Sequence, residues 1–182
     1  MSYPKPHKKN KKNIKAFVLG CDPTAIYKNN IKLDFEYVFD IENDKRYFAG
    51  ILSNLKLIGL FLEDVYVQNL ITEYQDKETN ENKNWNEIAK TYILHRRSEF
   101  DKIDPERKIP VFLTSEVLYK VLLNDDQNKY KPKELYNNKS LIPVSAKDNQ
   151  LKRPLIPLYR HYVYSLSRQN EYLNYLLTLY SF

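Results

Sequence analysis

Three residues stand where chemistry is easily done. Asp22 follows the apolar run "KAFVLG", Asn69 closes "DVYVQN", and His161 ends the proline-rich run "RPLIPLYRH". A carboxylate at a strand end, before a proline that fixes the turn, is held still and can orient and polarise a water. The same position also suits a turn aspartate that accepts bonds from backbone amides. The amide of Asn69 offers a donor beside an acceptor, the pair needed to read the edge of a pyrimidine, or it serves as an ordinary turn asparagine. A histidine such as His161 can donate a hydrogen bond to charge building on a leaving group; it can equally be structural or exposed. Cys21 is a poor nucleophile, because the adjacent carboxylate raises its pKa and no histidine is near in sequence.

Other chemistries are excluded or unsupported. A single cysteine rules out an internal disulfide and a cysteine-ligated zinc or iron–sulfur site. His7, His95 and His161 are scattered without metal-ligand spacing. Neither "GxxxxGK[ST]" nor "GxGxxG" occurs. No metal and no cofactor are expected. His95, beside Arg96 and Arg97, reads as part of a solvated helix face.

The chain has 182 residues, 42% of them hydrophobic, enough for one domain around one core. No apolar run reaches membrane-span length, and the N-terminus lacks the apolar stretch of a secretory signal. A soluble, reducing compartment, the cytoplasm, is expected, with the protein acting as a monomer and without a membrane. The net charge of +6 is uneven. Lysines 5, 8, 9, 11, 12 and 15 crowd the start, and the remaining body balances 23 basic against 23 acidic residues. Residues 1–13 read as a basic flexible tail and 14–182 as the domain. From Asn149 to Asn170 there is no acid, while Lys152, Arg153, Arg160 and Arg168 mix with tyrosines. Cations interleaved with rings suit phosphates and bases.

Short apolar runs alternate with helical periodicity, which predicts an α/β layered domain. "IKAFVLG", "DVYVQN", "IPVFLT" and "RPLIPLYRH" read as strands or extended segments, and "YVFDI" as a short extended piece. Residues 47–62, "NWNEIAKTYILHRRSEFDKI", "SEVLYKVLLND" and "RQNEYLNYLLTLY" read as helices, with Asn84 capping the second and Thr114 or Ser115 the third. Region 125–150 reads as loop with one strand at "SLIPVS". An open parallel sheet binds ligands at the carboxyl ends of its strands, where Asp22, Asn69, Thr114 and His161 all fall.

These pieces, in this order over residues 14–180, resemble the uracil-DNA glycosylase superfamily. "FVLGCDPT" resembles its Gly-x-Asp-Pro turn, "YVFDI" the segment with its base-stacking phenylalanine, and "VYVQNL" the strand ending in its uracil-reading asparagine. "NWNEIAKTYI" is similar to its following helix opening, "IPVFLTSEVLYKVLL" to its strand-turn-helix, and "YRHYVYSLSRQNEYLNYL" to its histidine motif and terminal helix. The resemblance implies a three-layer α/β/α fold with a central, mostly parallel four-stranded sheet. It implies a DNA glycosylase that flips uracil or a modified pyrimidine out of DNA and hydrolyses its N-glycosidic bond. Asp22 would position water and His161 would stabilise the departing anion. Cys21, Thr24, Phe39 and Asn69 would line the base pocket, with Phe39 stacking. Arg160, Ser165, Leu166 and Arg168 would touch DNA, Leu166 as the intercalating wedge.

The chain departs from the family pattern in three places. "YVYSLS" replaces Pro-Ser-Pro after the histidine, "LTS" at 113–115 lacks glycine, and Thr24 stands where the best-known uracil enzymes carry tyrosine. Against that pattern, a smaller Thr24 would admit a C5 substituent on the base or leave a looser pocket. The altered loop motivates the alternative: a catalytically inactive protein of this fold that binds nucleic acid or a free base.

Overall fold

The run "AFVLG" is apolar throughout, and a strand without polar alternation must be covered on both faces. It forms β1 (Ala16–Gly20), buried at every position, at the inside of a parallel sheet. In the computed structural model the described residues are 3–8, 13–24, 26–28, 31–43 and 46–180, with the backbone alone described at 26–28 and 31–33. After β1 comes a small antiparallel hairpin, β2 (Ile26–Lys28) and β3 (Ile31–Leu33), which the sequence pattern did not predict. The other sheet strands are β4 (Val65–Asn69), β5 (Val111–Leu113) and β6 (Leu155–Pro157). The main sheet runs β4-β1-β5-β6, all parallel, with Gly20 opposite Asn69, Leu19 opposite Leu113 and Leu113 opposite Pro157.

The helices are α1 (Arg46–Leu57), α2 (Trp85–Ile103), α3 (Glu116–Leu122), α4 (Pro132–Asn137) and α5 (Asn170–Leu179). With the parallel sheet they make the expected three-layer α/β/α architecture. The buried stripe of α2 runs Trp85, Ala89, Ile93, Arg96, Phe100, spaced by three or four residues as an amphipathic helix requires. Phe100 stacks on Phe17 of β1 at 4.1 Å and meets Tyr66 of β4 edge-on at 6.1 Å. Such ring pairs add about 0.5–1.5 kcal/mol each beyond the area they bury. Among the described residues no helix is long and apolar enough to cross a membrane.

Several local expectations are corrected. "YVFDI" is not extended: it holds a 3-10 turn at Val38–Asp40, with Phe39 at φ 58° and Asp40 at φ 49°. "SLIPVS" is no strand; Val144 alone exchanges backbone hydrogen bonds with Leu155, at 2.9 and 3.1 Å. Asn84 and Ser115 occupy N-cap positions but make no capping bond with their side chains. Arg96 is not solvated. It is fully buried, donates to the Leu70 carbonyl and pairs with Glu99, which also accepts the Tyr66 hydroxyl. His95 does face solvent.

The tail is also partly structured. His7 pairs with Val67 on the free edge of β4, both backbone bonds being 2.9 Å, and Lys5 exchanges bonds with Glu36 and Val38. His7 is buried, with Nε2 3.3 Å from Glu42. An unpaired strand edge offers a ready row of donors and acceptors, and His7 takes up part of it. Lys9, Lys11 and Lys12 of the expected tail lie outside the described residues.

Candidate functional site

The backbone keeps its ladder going past the end of β1. Leu70 and Ile71 donate to the carbonyls of Gly20 and Cys21, at 2.8 and 2.9 Å, and Gln75 donates to that of Pro23 at 2.8 Å. The turn carrying Asp22 is therefore clamped by the chain leaving β4. Its carboxylate is held as well. Oδ1 accepts from the Trp85 indole and the Thr79 hydroxyl, each at 2.6 Å. Oδ2 is buried and has no hydrogen-bond partner among the described residues. Burial raises the Asp22 pKa, while the bonds from Thr79 and Trp85 oppose the rise. Half of the carboxylate is thus fixed, and half has no donor among the described residues.

Beside it, an ideal Cβ on Gly20 would collide with Asn69 Oδ1 and come within 2.5 Å of Phe39 Cζ. Glycine is required here because the Asn69 amide and the Phe39 ring both crowd its α-carbon. Asn69 is 4% exposed, and its side-chain amide makes no hydrogen bond among the described residues. Phe39 packs against Phe48 of α1 at 5.4 Å. Its left-handed backbone costs about 1–3 kcal/mol and persists only where neighbours over-determine it. Those neighbours are the Lys5 carbonyl, which accepts from Val38 at 3.0 Å, and the Tyr37 carbonyl, which accepts from Asp40 at 3.1 Å.

Cys21, Asp22, Thr24, Phe39, Asn69 and Arg160 all line one cleft of about 860 Å³. It opens at the carboxyl ends of the strands, the position expected for ligands of a parallel sheet. Thr114 closes β5 by donating its hydroxyl to the Leu19 carbonyl at 2.9 Å, and its own carbonyl accepts from Arg160 N–H at 2.9 Å. That bond brings Arg160 to the wall. The Cys21 thiol meets the Ser115 hydroxyl at 2.9 Å. Burial pushes the thiol up to about 12 against the Ser115 bond, and the Asp22 charge adds to the rise, so it stays protonated at neutral pH.

The remaining predicted residues lie elsewhere. His161 is exposed and absent from the cleft wall. Its Nδ1 accepts from Val163 N–H at 3.3 Å, and its ring lies 4.8 Å from that of Tyr162. Leu166 is no exposed wedge: it is fully buried, and its N–H donates to Asn54 Oδ1 of α1 at 2.9 Å. Ser165 bonds the same Asn54 oxygen at 3.4 Å and the Ser167 hydroxyl at 2.9 Å. The side chains that protrude are Tyr162 (66% exposed) and Val163 (41%), with the Arg168 guanidinium 5.6 Å from the Tyr162 ring centre.

Sequence reasoning missed Thr79 and the task of Trp85. The signal for Trp85 was available, since a tryptophan on the buried stripe of a helix must find an acceptor for its indole N–H. Thr79 sits in a polar loop whose pattern carries no such signal. Among the described residues no group of three or more histidine, cysteine, aspartate or glutamate side chains is placed to hold a metal ion. No protein-family model matches the chain, and no curated protein matches it.

Proposed function

We propose that the chain is an N-glycoside hydrolase of the uracil-DNA glycosylase type, releasing uracil or a modified pyrimidine from DNA. The observation that carries this reading is the Asp22 carboxylate, gripped on Oδ1 by Trp85 and Thr79, with Oδ2 free of any partner among the described residues. Rupture of the C1′–N bond builds positive charge on the sugar. A preorganised carboxylate favours that charge and orients the water that adds to C1′. Asn69 brings an unpaired donor and acceptor to the base edge, and Phe39 offers a ring face beside it. Arg160 on the wall suits a phosphate of the strand. The reaction needs no cofactor. On this reading the partner is DNA, and the chain acts as a monomer in the cytoplasm.

The test is release of free base from uracil-containing single- and double-stranded oligonucleotides. Wild type should release it, and Asp22→Asn should lose about 10²–10⁴-fold in rate. No release by wild type of either uracil or an N3-alkylated cytosine, or full activity in Asp22→Asn, sinks the proposal.

A second reading is favoured by the exposed position of His161 and the pinning of the following loop by Asn54. In it the fold binds nucleic acid or a free base without cleaving. Salt-sensitive DNA binding with no base release would support it, and absence of binding at low salt would overturn it.

A further inference from the structure

We propose that the base this cleft takes carries a positive charge, as an N-alkylated nucleobase does, and departs as a neutral molecule. The inference rests on reading the cleft as a glycosidase site, and it names the substrate class. Its first support is charge. The wall carries Asp22, together with Asp76, Glu78 and Glu81 on the segment between β4 and α2, against Lys77 and Arg160. Glu116, also on the wall, is paired with Lys120. The excess is negative, which suits a cation and disfavours a base that leaves as an anion.

The second support is independent of that charge. Asn69 lines the cleft at 4% exposure, and its side-chain amide is not among the sealed-off buried groups that lack a partner. Its donor and acceptor stay open to a ligand that displaces water from the cleft. Its Oδ1 can accept from the exocyclic amine that charged bases carry. The rings of Phe35, Phe39 and Tyr47 share the wall, with Phe35 and Tyr47 6.4 Å apart, and ring faces attract a delocalised cation.

The third support is the position of His161. A neutral pyrimidine leaves with negative charge and needs a donor at the base. His161, the expected donor, lies outside the cleft wall. A cationic base needs none. Its C1′–N bond breaks with the electron pair passing to the ring nitrogen, which cancels the ring's charge. Water adds its oxygen to C1′ and gives a proton to Asp22, which passes it to solvent. Cationic nucleotide and water become neutral base, hydroxylated sugar and one proton.

The experiment compares single-stranded oligonucleotides that carry one 3-methylcytosine, one 3-ethylcytosine or one uracil. Release of each base is divided by its uncatalysed loss. At least one cationic base should be favoured over uracil by about tenfold or more. The double variant Glu78→Gln/Glu81→Gln, at two exposed positions, should lower that ratio about threefold or more as rim charge is removed. Release of uracil with no preference for either cation overturns this inference and leaves the glycosidase reading standing. An unchanged ratio in the double variant also overturns it. Release of no base from any strand overturns the glycosidase reading and this inference together.

Discussion

Asp22 and His161 each stand just beyond the carboxyl end of a parallel strand, yet only Asp22 reaches the cleft. Asp22 comes two residues after β1, where Leu70, Ile71 and Gln75 clamp the backbone and Trp85 and Thr79 grip the side chain. His161 comes four residues after β6, and the segment beyond it is tied to α1 through Asn54 instead. Proximity to a strand end positions a side chain only when neighbouring elements continue to hold the chain beyond the ladder. The first region is a built site. The second is an exposed aromatic and basic surface resting on a buried leucine.

The largest test of this contrast is Asp22→Asn, with a loss of about 10²–10⁴-fold in base release. Stability should move the other way. The raised Asp22 pKa means that ionisation disfavours the folded state as pH rises through that value, so an uncharged asparagine should melt at or above wild type at neutral pH. A variant that lost activity by unfolding would instead melt below it.

Next comes Gly20→Ala, whose new methyl meets Asn69 Oδ1 and the Phe39 ring. It should cost about 1–3 kcal/mol in urea unfolding, as overpacking does, and impair substrate binding together with stability. An unaffected variant would mean that the Asn69–Phe39 wall is not as closely packed as described.

Trp85→Phe keeps an aromatic ring, though a smaller one, and removes the indole donor to Asp22. Base release should fall about tenfold. In the proposed hydrolysis the carboxylate is the working form, so base release should be lost as pH falls through the Asp22 pKa, which burial raises from the usual aspartate value. Losing a bond that favours the carboxylate should move this acidic limb of the pH–rate profile further up. A limb left in place would show that Trp85 packs but does not hold Asp22.

Removing residues 1–8 should raise KM by a factor of about three to ten with a smaller change in kcat, because Phe39 loses the Lys5 support for its left-handed backbone. His161→Ala should be the mildest, within about threefold on base release. A loss as large as that of Asp22→Asn would mean that the loop carries His161 into the cleft when substrate binds, and would break the contrast between the two regions.

Much of the frame was legible because buried strands write themselves in unbroken apolar runs. "AFVLG" and "VFL" needed no tertiary information to be read as strands, "VYVQN" showed in the alternation of Val65 and Val67 with Tyr66 and Gln68, and α2 announced itself by its spacing. Turn geometry was not legible. Nothing in "YVFDI" marks Phe39 as left-handed, since a bulky aromatic residue disfavours that region, and the conformation is imposed by Lys5 and Tyr37. The fate of Leu166 was equally hidden. An apolar residue in a basic, aromatic loop reads alike whether it projects to solvent or turns inward, and only the Asn54 acceptor on α1 decides.

By itself the amino-acid sequence determined the parallel sheet and the ends at which Asp22 and Asn69 stand. Apolar periodicity and the single Gly-Cys-Asp-Pro turn are local properties. Tertiary structure alone decided that Trp85 and Thr79 grip one oxygen of Asp22. It alone brought Phe39 over Gly20, docked His7 on the sheet edge and Lys5 on the 36–38 segment, and left His161 outside the cleft. Those outcomes depend on contacts between residues tens of positions apart. Such contacts are set by which surfaces meet when the layers pack, and no local pattern encodes them.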